Sequence, residues 1–326
     1  MVKEHVLRIL LESNSFCSGQ DICEHLDVTR AAVWKAIQAL REDGYEIEAV
    51  RNRGYRMLSK PDRLTSERIR ACLHTLWAGR RLEVYEEVDS TNNVSKRLAE
   101  DGAEEGTLTV AEVQTAGRGR RDRPWSSPGG SGIWMSLLLR PEIEPARASM
   151  LTLVMAMAIC RAVKKTADLD CGIKWPNDVV AGGKKLCGIL TEMSLDPDRI
   201  NYIVIGCGIN VLDDSFPDHI REVATSIYAE TGKRPDRAGL IAACMAEFER
   251  LYQIFLDTED LSALQDVYNR NLVNCGREVR VLDPKNPWRG TARGIDARGN
   301  LLVETPDGIR TVSSGEVSVR GIYGYV

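Results

Sequence analysis

Histidine is scarce in this 326-residue chain, and its four copies lie far apart at 5, 25, 74 and 219. The residues around them form no Ser-His-Asp or Cys-His constellation and offer no zinc spacing. The nine cysteines include no Cys-x-x-Cys pair, and most lie in apolar sequence, where a free thiol acts as a small hydrophobe. An odd number in a long chain points to reduced thiols, a cytoplasmic location and no resident metal. Excess positive charge is also missing. The net charge is −4 and the pI ≈ 5.8, so any contact with nucleic acid must come from a local patch. The longest apolar run, Ala148 to Val163, falls short of the ~20 residues of a bilayer span and reads as a core helix, so no membrane partner is expected. Charges at Lys3, Glu4 and Arg8 interrupt the N-terminus, which therefore carries no leader signature.

What the chain does have is an unusual stretch from Gln114 to Trp125. Gly117 and Gly119 alternate with arginine and then yield to Arg120, Arg121 and Arg123. An apolar run (Leu108, Val110, Val113) precedes it as a strand, and Gly132 to Leu139 follows as another. Glycine allows close backbone approach, and arginine presents a fixed fork of donors to phosphate or carboxylate. The stretch reads as a loop that closes over an anion, although a solvated charged hairpin would look the same in isolation.

Residues 1–60 follow helix-turn-helix grammar. Val6, Leu7, Ile9 and Leu10 stripe a first helix, Ser18 caps a second, and Thr29 caps a third in which Val33, Ile37 and Leu40 recur at helical spacing. Tyr45–Val50, the turn Arg51-Asn52-Arg53-Gly54 and Tyr55–Leu58 then form a hairpin, the wing of a winged helix. Thr29, Arg30 and Lys35 on the third helix, with Arg41, and Arg51 and Arg53 at the wing tip are placed to contact DNA phosphates. A winged helix that binds protein shares the same pattern. Lys60-Pro61-Asp62 reads as the linker.

Residues 61–272 carry the remaining polar landmarks. Arg81–Val88 is strand-like and runs into Asp89-Ser90-Thr91-Asn92-Asn93, which opens a helix; such residues cap helices or bind small polar ligands. Ile133–Arg140 has large apolar residues on both faces, as a central strand does. In Ile173-Lys174-Trp175-Pro176-Asn177-Asp178-Val179 the proline breaks regular pairing, displaying Lys174, Asn177 and Asp178 for phosphate and Mg²⁺; a loop ion pair is the plain alternative. Lys185 heads an otherwise apolar run, where an ammonium needs a compensating anion. Gly206-Cys207-Gly208-Ile209-Asn210 lacks the third glycine and the βαβ context of a dinucleotide site, and reads as a glycine turn displaying Asn210. Two helices, near Asp236–Asp257 and Leu261–Asn271, cover the sheet. Residues 273–326 contain short strands at Glu278–Leu282, Arg289–Ile295, Leu301–Glu304 and Arg310–Ser313, a small β-barrel of about five strands. The fold class is α+β, and the landmarks together describe a site for an anionic, nucleotide-containing ligand.

Four motifs occur in order: Gly117-Arg118-Gly119-Arg120-Arg121, Lys174-Trp175-Pro176-Asn177-Asp178, Lys185-Leu186-x-Gly188-Ile189-Leu190 and Gly206-x-Gly208-Ile209-Asn210. In these the chain resembles the biotin–protein ligase family, in its bifunctional form that also represses the biotin operon, and the resemblance spans nearly the whole length. It implies a class II synthetase-like central mixed sheet flanked by helices. The implied activity is ATP-dependent formation of biotinyl-5′-AMP, with Mg²⁺, and transfer of biotin to a lysine of a biotin carboxyl carrier protein such as that of acetyl-CoA carboxylase. The implied biotin site comprises Ser90, Thr91, Asn92, Gln114, Gly117, Arg118, Arg120, Arg121, Lys185 and Gly188. The implied ATP and adenylate site comprises Trp125, Lys174, Asn177, Asn210, Glu316 and Arg320 with Arg118, Arg120 and Arg121; Arg118, Lys185 and Asp178 are the expected catalytic residues. A homodimer on operator DNA is the implied repressor. One departure is Asp122, where some members carry glycine. The rival readings are a sensor that binds biotin without turning over and a lipoate or octanoate enzyme of the same fold.

Overall fold

In a computed structural model, residues 2–13, 15–59, 62–197, 199–213, 216–282, 286–314 and 318–321 are described, the last four by backbone alone. The chain divides into two compact units, Met1–Leu73 and His74–Val326.

The first unit contains α1 (Val2–Glu12), α2 (Gly19–Leu26), α3 (Arg30–Glu42), the hairpin β1 (Glu46–Val50) and β2 (Gly54–Ser59), and α4 (Ser66–Cys72). Ser18 caps α2 by accepting from Gln20 N, and Thr29 caps α3 by accepting from Ala32 N. Val6, Leu7 and Leu10 of α1 meet Val33, Ile37 and Leu40 of α3 in one aliphatic core. The helix α4, absent from the sequence reading, packs on α1. Its Arg68 is fully buried and donates to Arg63 O at 3.3 Å.

The second unit is built on a seven-stranded sheet in the order β3-β4-β5-β9-β8-β7-β6. Its strands are β3 (Leu82–Val88), β4 (Leu108–Gln114), β5 (Gly132–Leu139), β6 (Gly172–Lys174), β7 (Asp178–Ala181), β8 (Lys184–Asp196) and β9 (Arg199–Asn210). Only β3 and β4 pair in parallel. All eight residues of β5 are buried, as expected of a central strand covered on both faces. Helix α5 (Thr91–Glu100) covers one face, where Ala99 packs with Leu138, Tyr202 and Val204. Helices α6 (Met150–Ala167) and α8 (Arg237–Thr258) pack on each other and on the sheet; α7 (Ile227–Thr231) and α9 (Gln265–Asn271) are short. With the turn before it, α6 spans 23 residues, longer than the apolar run alone, and is long and apolar enough to cross a membrane, but most of that surface is buried within the fold.

The glycines of Gly206-Cys207-Gly208 do not form the expected turn. They lie inside β9, which pairs continuously with β5 from Ile203 to Asn210. The β8–β9 hairpin also runs further than the apolar pattern indicated, because Thr191–Asp196 continues the ladder with mixed polarity. Five antiparallel strands follow: β10 (Glu278–Leu282), β11 (Trp288–Ile295), β12 (Leu301–Thr305), β13 (Gly308–Val312) and β14 (Ser318–Gly321). Their order is β13-β12-β11-β10-β14, so β13 and β14 form the two ends of a row, with no pairing between them among the described residues.

Candidate active site and nucleic-acid interface

The junction of β3 and α5 forms the first half of the site. Ser90 occupies the N-cap position of α5, yet its side chain makes no cap hydrogen bond and the residue is only 5 % exposed. Simple capping therefore does not account for it. Thr91 donates to Gln114 Oε1 through its backbone N at 2.8 Å and its hydroxyl at 3.1 Å. Gln114 Nε2 donates to Ser127 Oγ at 2.8 Å. Ser136 Oγ lies 2.6 Å from Asn92 Oδ1 and 2.7 Å from Thr91 Oγ1. Asn92 Nδ2 donates to Glu192 Oε2 at 2.8 Å, and Lys96 pairs with the same carboxylate at 2.9 Å. Burial pulls the pKa of Glu192 upward, but these two hydrogen bonds and the Lys96 charge outweigh it, leaving the pKa below its ordinary value. Ser127, Ser136 and Glu192 escaped the sequence reading. Ser136 left one signal, a lone hydroxyl in the run Ile133–Leu139.

The second half lies where β7 and β8 pair. Lys185 Nζ meets Asp178 Oδ1 at 2.7 Å, so the anion that Lys185 requires is Asp178. Arg120 donates to Asn177 Oδ1 at 3.3 Å and to the carbonyl of Ser314. Burial lowers the pKa of Arg120, neighbouring Arg121 adds to that, and Asp178 opposes it. Asn177 Nδ2 donates to Ile189 O at 3.1 Å. Trp175 is buried, and its indole Nε1 donates to Gly299 O at 3.0 Å, which ties this segment to the C-terminal sheet.

A floor of bare backbone joins the halves. Gly188 and Gly208 pair across β8 and β9, with Gly206 two residues away on the same strand. The indole of Trp125 lies on this pair. A Cβ at Gly188 would stand 2.9 Å from Trp125 Cζ3, and one at Gly208 would collide with Trp125 Nε1. The Asn92 amide fills the same role over Gly206. Lys185 Nζ stands 5.0 Å from the Trp125 ring centroid, a cation–π contact. Trp125 Nε1 is buried without a hydrogen-bond partner.

The arginine loop closes on itself: Gly119 N donates to Arg123 O and Trp125 N donates to Gly117 O, both at 2.8 Å. Arg118 reaches Asn93 Oδ1 at 2.8 Å. Arg121 and Asp122 have φ of 58° and 53°. This left-handed region favours glycine and tolerates aspartate better than most residues, which accounts for Asp122 where glycine occurs in the resembling pattern. The structure thus brings Ser90, Thr91, Asn92, Gln114 and Gly117 together, and gathers Arg120, Trp125, Asn177, Asp178, Lys185 and Gly188. Lys174 is buried beside them in β6, paired with Asp178 in the ladder. Asn210 ends β9 with its amide donating to Thr225 O at 3.0 Å, and Arg121 is exposed on the loop. Glu316 lies outside the described residues, and Arg320 pairs with Arg280 in β14.

In the first unit Lys35 and Arg51 are exposed. Arg30 donates to Gln20 Oε1 at 2.8 Å. Arg53 and Arg56 stand 4.3 and 4.7 Å from the Phe16 ring centroid, which fixes the wing guanidinium of Arg53. The Arg41 guanidinium, expected at a phosphate, donates to Ile47 O at 2.6 Å and fastens α3 to β1.

Residues 84–210 match the biotin/lipoate A/B protein ligase family, residues 2–56 an HTH domain and residues 275–320 the biotin protein ligase C-terminal domain. The chain therefore has the domains of an ATP-dependent ligase and a DNA-binding module. Among relatives, the bifunctional ligase/repressor BirA of Bacillus spizizenii is 40 % identical, with 98 % of each chain covered. BirA of Escherichia coli is 32 % identical over 95 % of each. The solved biotin protein ligase of Aquifex aeolicus in complex with biotin and ATP superposes with a TM-score of 0.65 at 31 % identity, covering 74 % of this chain and 99 % of that one. The chain belongs to the biotin protein ligase family, among its bifunctional ligase/repressors.

Proposed function

We propose that this protein activates biotin with ATP and transfers it to a lysine of a biotin carboxyl carrier protein, and that it represses biotin-synthesis genes as an adenylate-bound homodimer on operator DNA, in the cytoplasm. One observation carries the ligase reading: Lys185, Asp178 and Arg120 converge beside a glycine floor that continues to the Ser90–Gln114 network.

Ser90, Thr91, Asn92 and Gln114 hold biotin's ureido ring, and Gly117, Arg118 and Gly188 border its tail. Lys185 leads the carboxylate toward the α-phosphorus. A carboxylate oxygen forms the new bond to phosphorus as the bond to the β-phosphate bridge breaks, leaving biotinyl-5′-AMP and pyrophosphate. The barrier is the approach of one anion to another, so Lys185, Arg118, Arg120 and Arg121 lower it electrostatically, with Lys174 and Asn177 on the phosphates. Trp125, Asn210, Glu316 and Arg320 complete the nucleotide side. Mg²⁺ arriving with ATP would be held by the Asp178 carboxylate, here paired with Lys185, and by the Asn177 amide oxygen, here accepting from Arg120. Held there, it would screen phosphate charge. In the second step the carrier's ε-amine attacks the acyl carbon, AMP leaves, and the amine's proton is lost. The closed loop keeps water from the mixed anhydride.

The test is transfer of labelled biotin to a carrier domain with Mg²⁺ and ATP. The wild type transfers label; Lys185→Ala releases pyrophosphate on the order of a hundredfold more slowly, the scale of removing one preset charge stabiliser. Bound biotin without pyrophosphate release in the wild type would leave a sensor instead.

A further inference from the structure

The outward face of α3 carries a residue that neither the core nor a phosphate explains. Val33, Ala36, Ile37 and Leu40 turn inward, while Ala31, Trp34 and Lys35 are exposed and Gln38 is half-buried. Trp34 is 58 % exposed and makes no hydrogen bond, ring or cation contact among the described residues of the first unit. An indole is among the costliest side chains to leave in water, since it can bury about 150–250 Å². The stripe Ala31–Trp34–Gln38, at steps of three and four, lies on one helical face. Its neighbours are cationic: among the described residues Lys35 has no partner and Arg30 holds only Gln20, and the wing presents Arg51 and Arg53. Acidic residues on the adjoining α2, Asp21 and Glu24, lie on the other side of the balance, and Glu24 already accepts from Gln20.

We infer that Trp34 is a specificity-determining residue that packs on the C5-methyl group of a thymine in the major groove, with Ala31 beside it. The inference rests on the operator-binding reading above. Cations bind phosphate without regard to sequence. An apolar plane cannot do so, and the thymine methyl is the apolar group that base pairs present in the major groove. Gln38 on the same stripe suits the adjacent adenine edge, to which glutamine bonds in a bidentate manner. Trp34 therefore supplies sequence choice where Lys35 and Arg51 supply only attraction.

The experiment presents the full chain, with biotin and ATP, to a pool of duplexes with a randomised centre. The enriched duplex is then remade with deoxyuridine replacing thymidine at one position at a time. Loss of one buried methyl weakens wild-type binding about fourfold at a single thymine per half-site. Trp34→Ala binds the enriched duplex more weakly and no longer distinguishes thymine from uracil there, while Trp34→Phe retains part of the discrimination. Both variants still transfer labelled biotin and melt like wild type in the first unit by Trp-independent circular dichroism, which shows that both units are folded. Equal thymine–uracil discrimination by Trp34→Ala and wild type would overturn the inference and assign this face to another partner. If no sequence is enriched and duplexes bind only in proportion to salt, the operator reading falls and this inference falls with it.

Discussion

Around Thr91 the polar groups satisfy one another: Gln114, Ser127, Ser136, Asn92 and Glu192 form one hydrogen-bonded chain of buried or half-buried residues. Along Arg118–Arg123 the side chains face solvent instead, except Arg120, which is half-buried against Asn177 and Ser314. Arg121 and Arg123 are exposed, and Arg118 holds one amide and a distant carboxylate at 3.7 Å. On the proposed function, the difference follows from what each half would bind. An uncharged ureido ring gains little from long-range attraction, so its recognition rests on donors and acceptors fixed beforehand, where any mismatch leaves a buried group unpaired. A phosphate attracts from a distance, so cations can wait in water at small cost and tighten when the anion arrives.

If that contrast is right, Gly206→Ala has the largest effect of three further substitutions. A methyl there collides with Asn92 Oδ1, and unseating Asn92 breaks its bonds to Ser136 and Glu192. Biotin affinity should fall on the order of tenfold to a hundredfold, with nucleotide binding nearly unchanged; calorimetry with each ligand separates the two. A parallel loss of nucleotide would show that the halves are not independent. Next is Arg118→Ala, which removes a loop cation without touching the network. Bound adenylate should escape about tenfold faster with a smaller loss of biotin affinity, as followed by release of labelled adenylate and by biotin titration. The smallest effect concerns pH. Because the folded pKa of Glu192 lies below the ordinary 4.5, its ionised form adds stability above that value, and the benefit is lost as pH falls through the folded pKa. Wild type should exceed Glu192→Gln in urea midpoint near neutrality, and the gap should close below pH 4.5. A gap that persists in acid would assign the difference to packing.

The cationic half was legible in the sequence because arginine and glycine between two apolar strands have few structural uses, and Lys185 at the head of an apolar run called for an anion. The uncharged half was only partly legible. Ser90–Asn93 could have been a cap, and the hydroxyl that decides otherwise, Ser136, is one residue in an apolar strand. The glycines of β9 misled because glycine usually marks a turn; here it makes room for Trp125 and Asn92, which come from distant parts of the chain. The bond from Arg41 to Ile47 O was not legible because that carbonyl lies on the next element. Helix α4 has no long apolar stripe to announce it, and it puts the division between the units after Leu73; Lys60 and Pro61 of the expected linker lie outside the described residues.

The bond from the Trp175 indole to Gly299 carries a lesson for anyone shortening this protein. The five C-terminal strands resemble a detachable appendage, yet Gly299 is the abutment for the segment bearing Asn177 and Asp178, and the Ser314 carbonyl receives Arg120. A chain trimmed after Leu272 would keep every residue of the Ser90–Gln114 network and lose both struts of the nucleotide side. Such a truncation would separate holding biotin from activating it, making the terminal sheet part of the catalytic chassis.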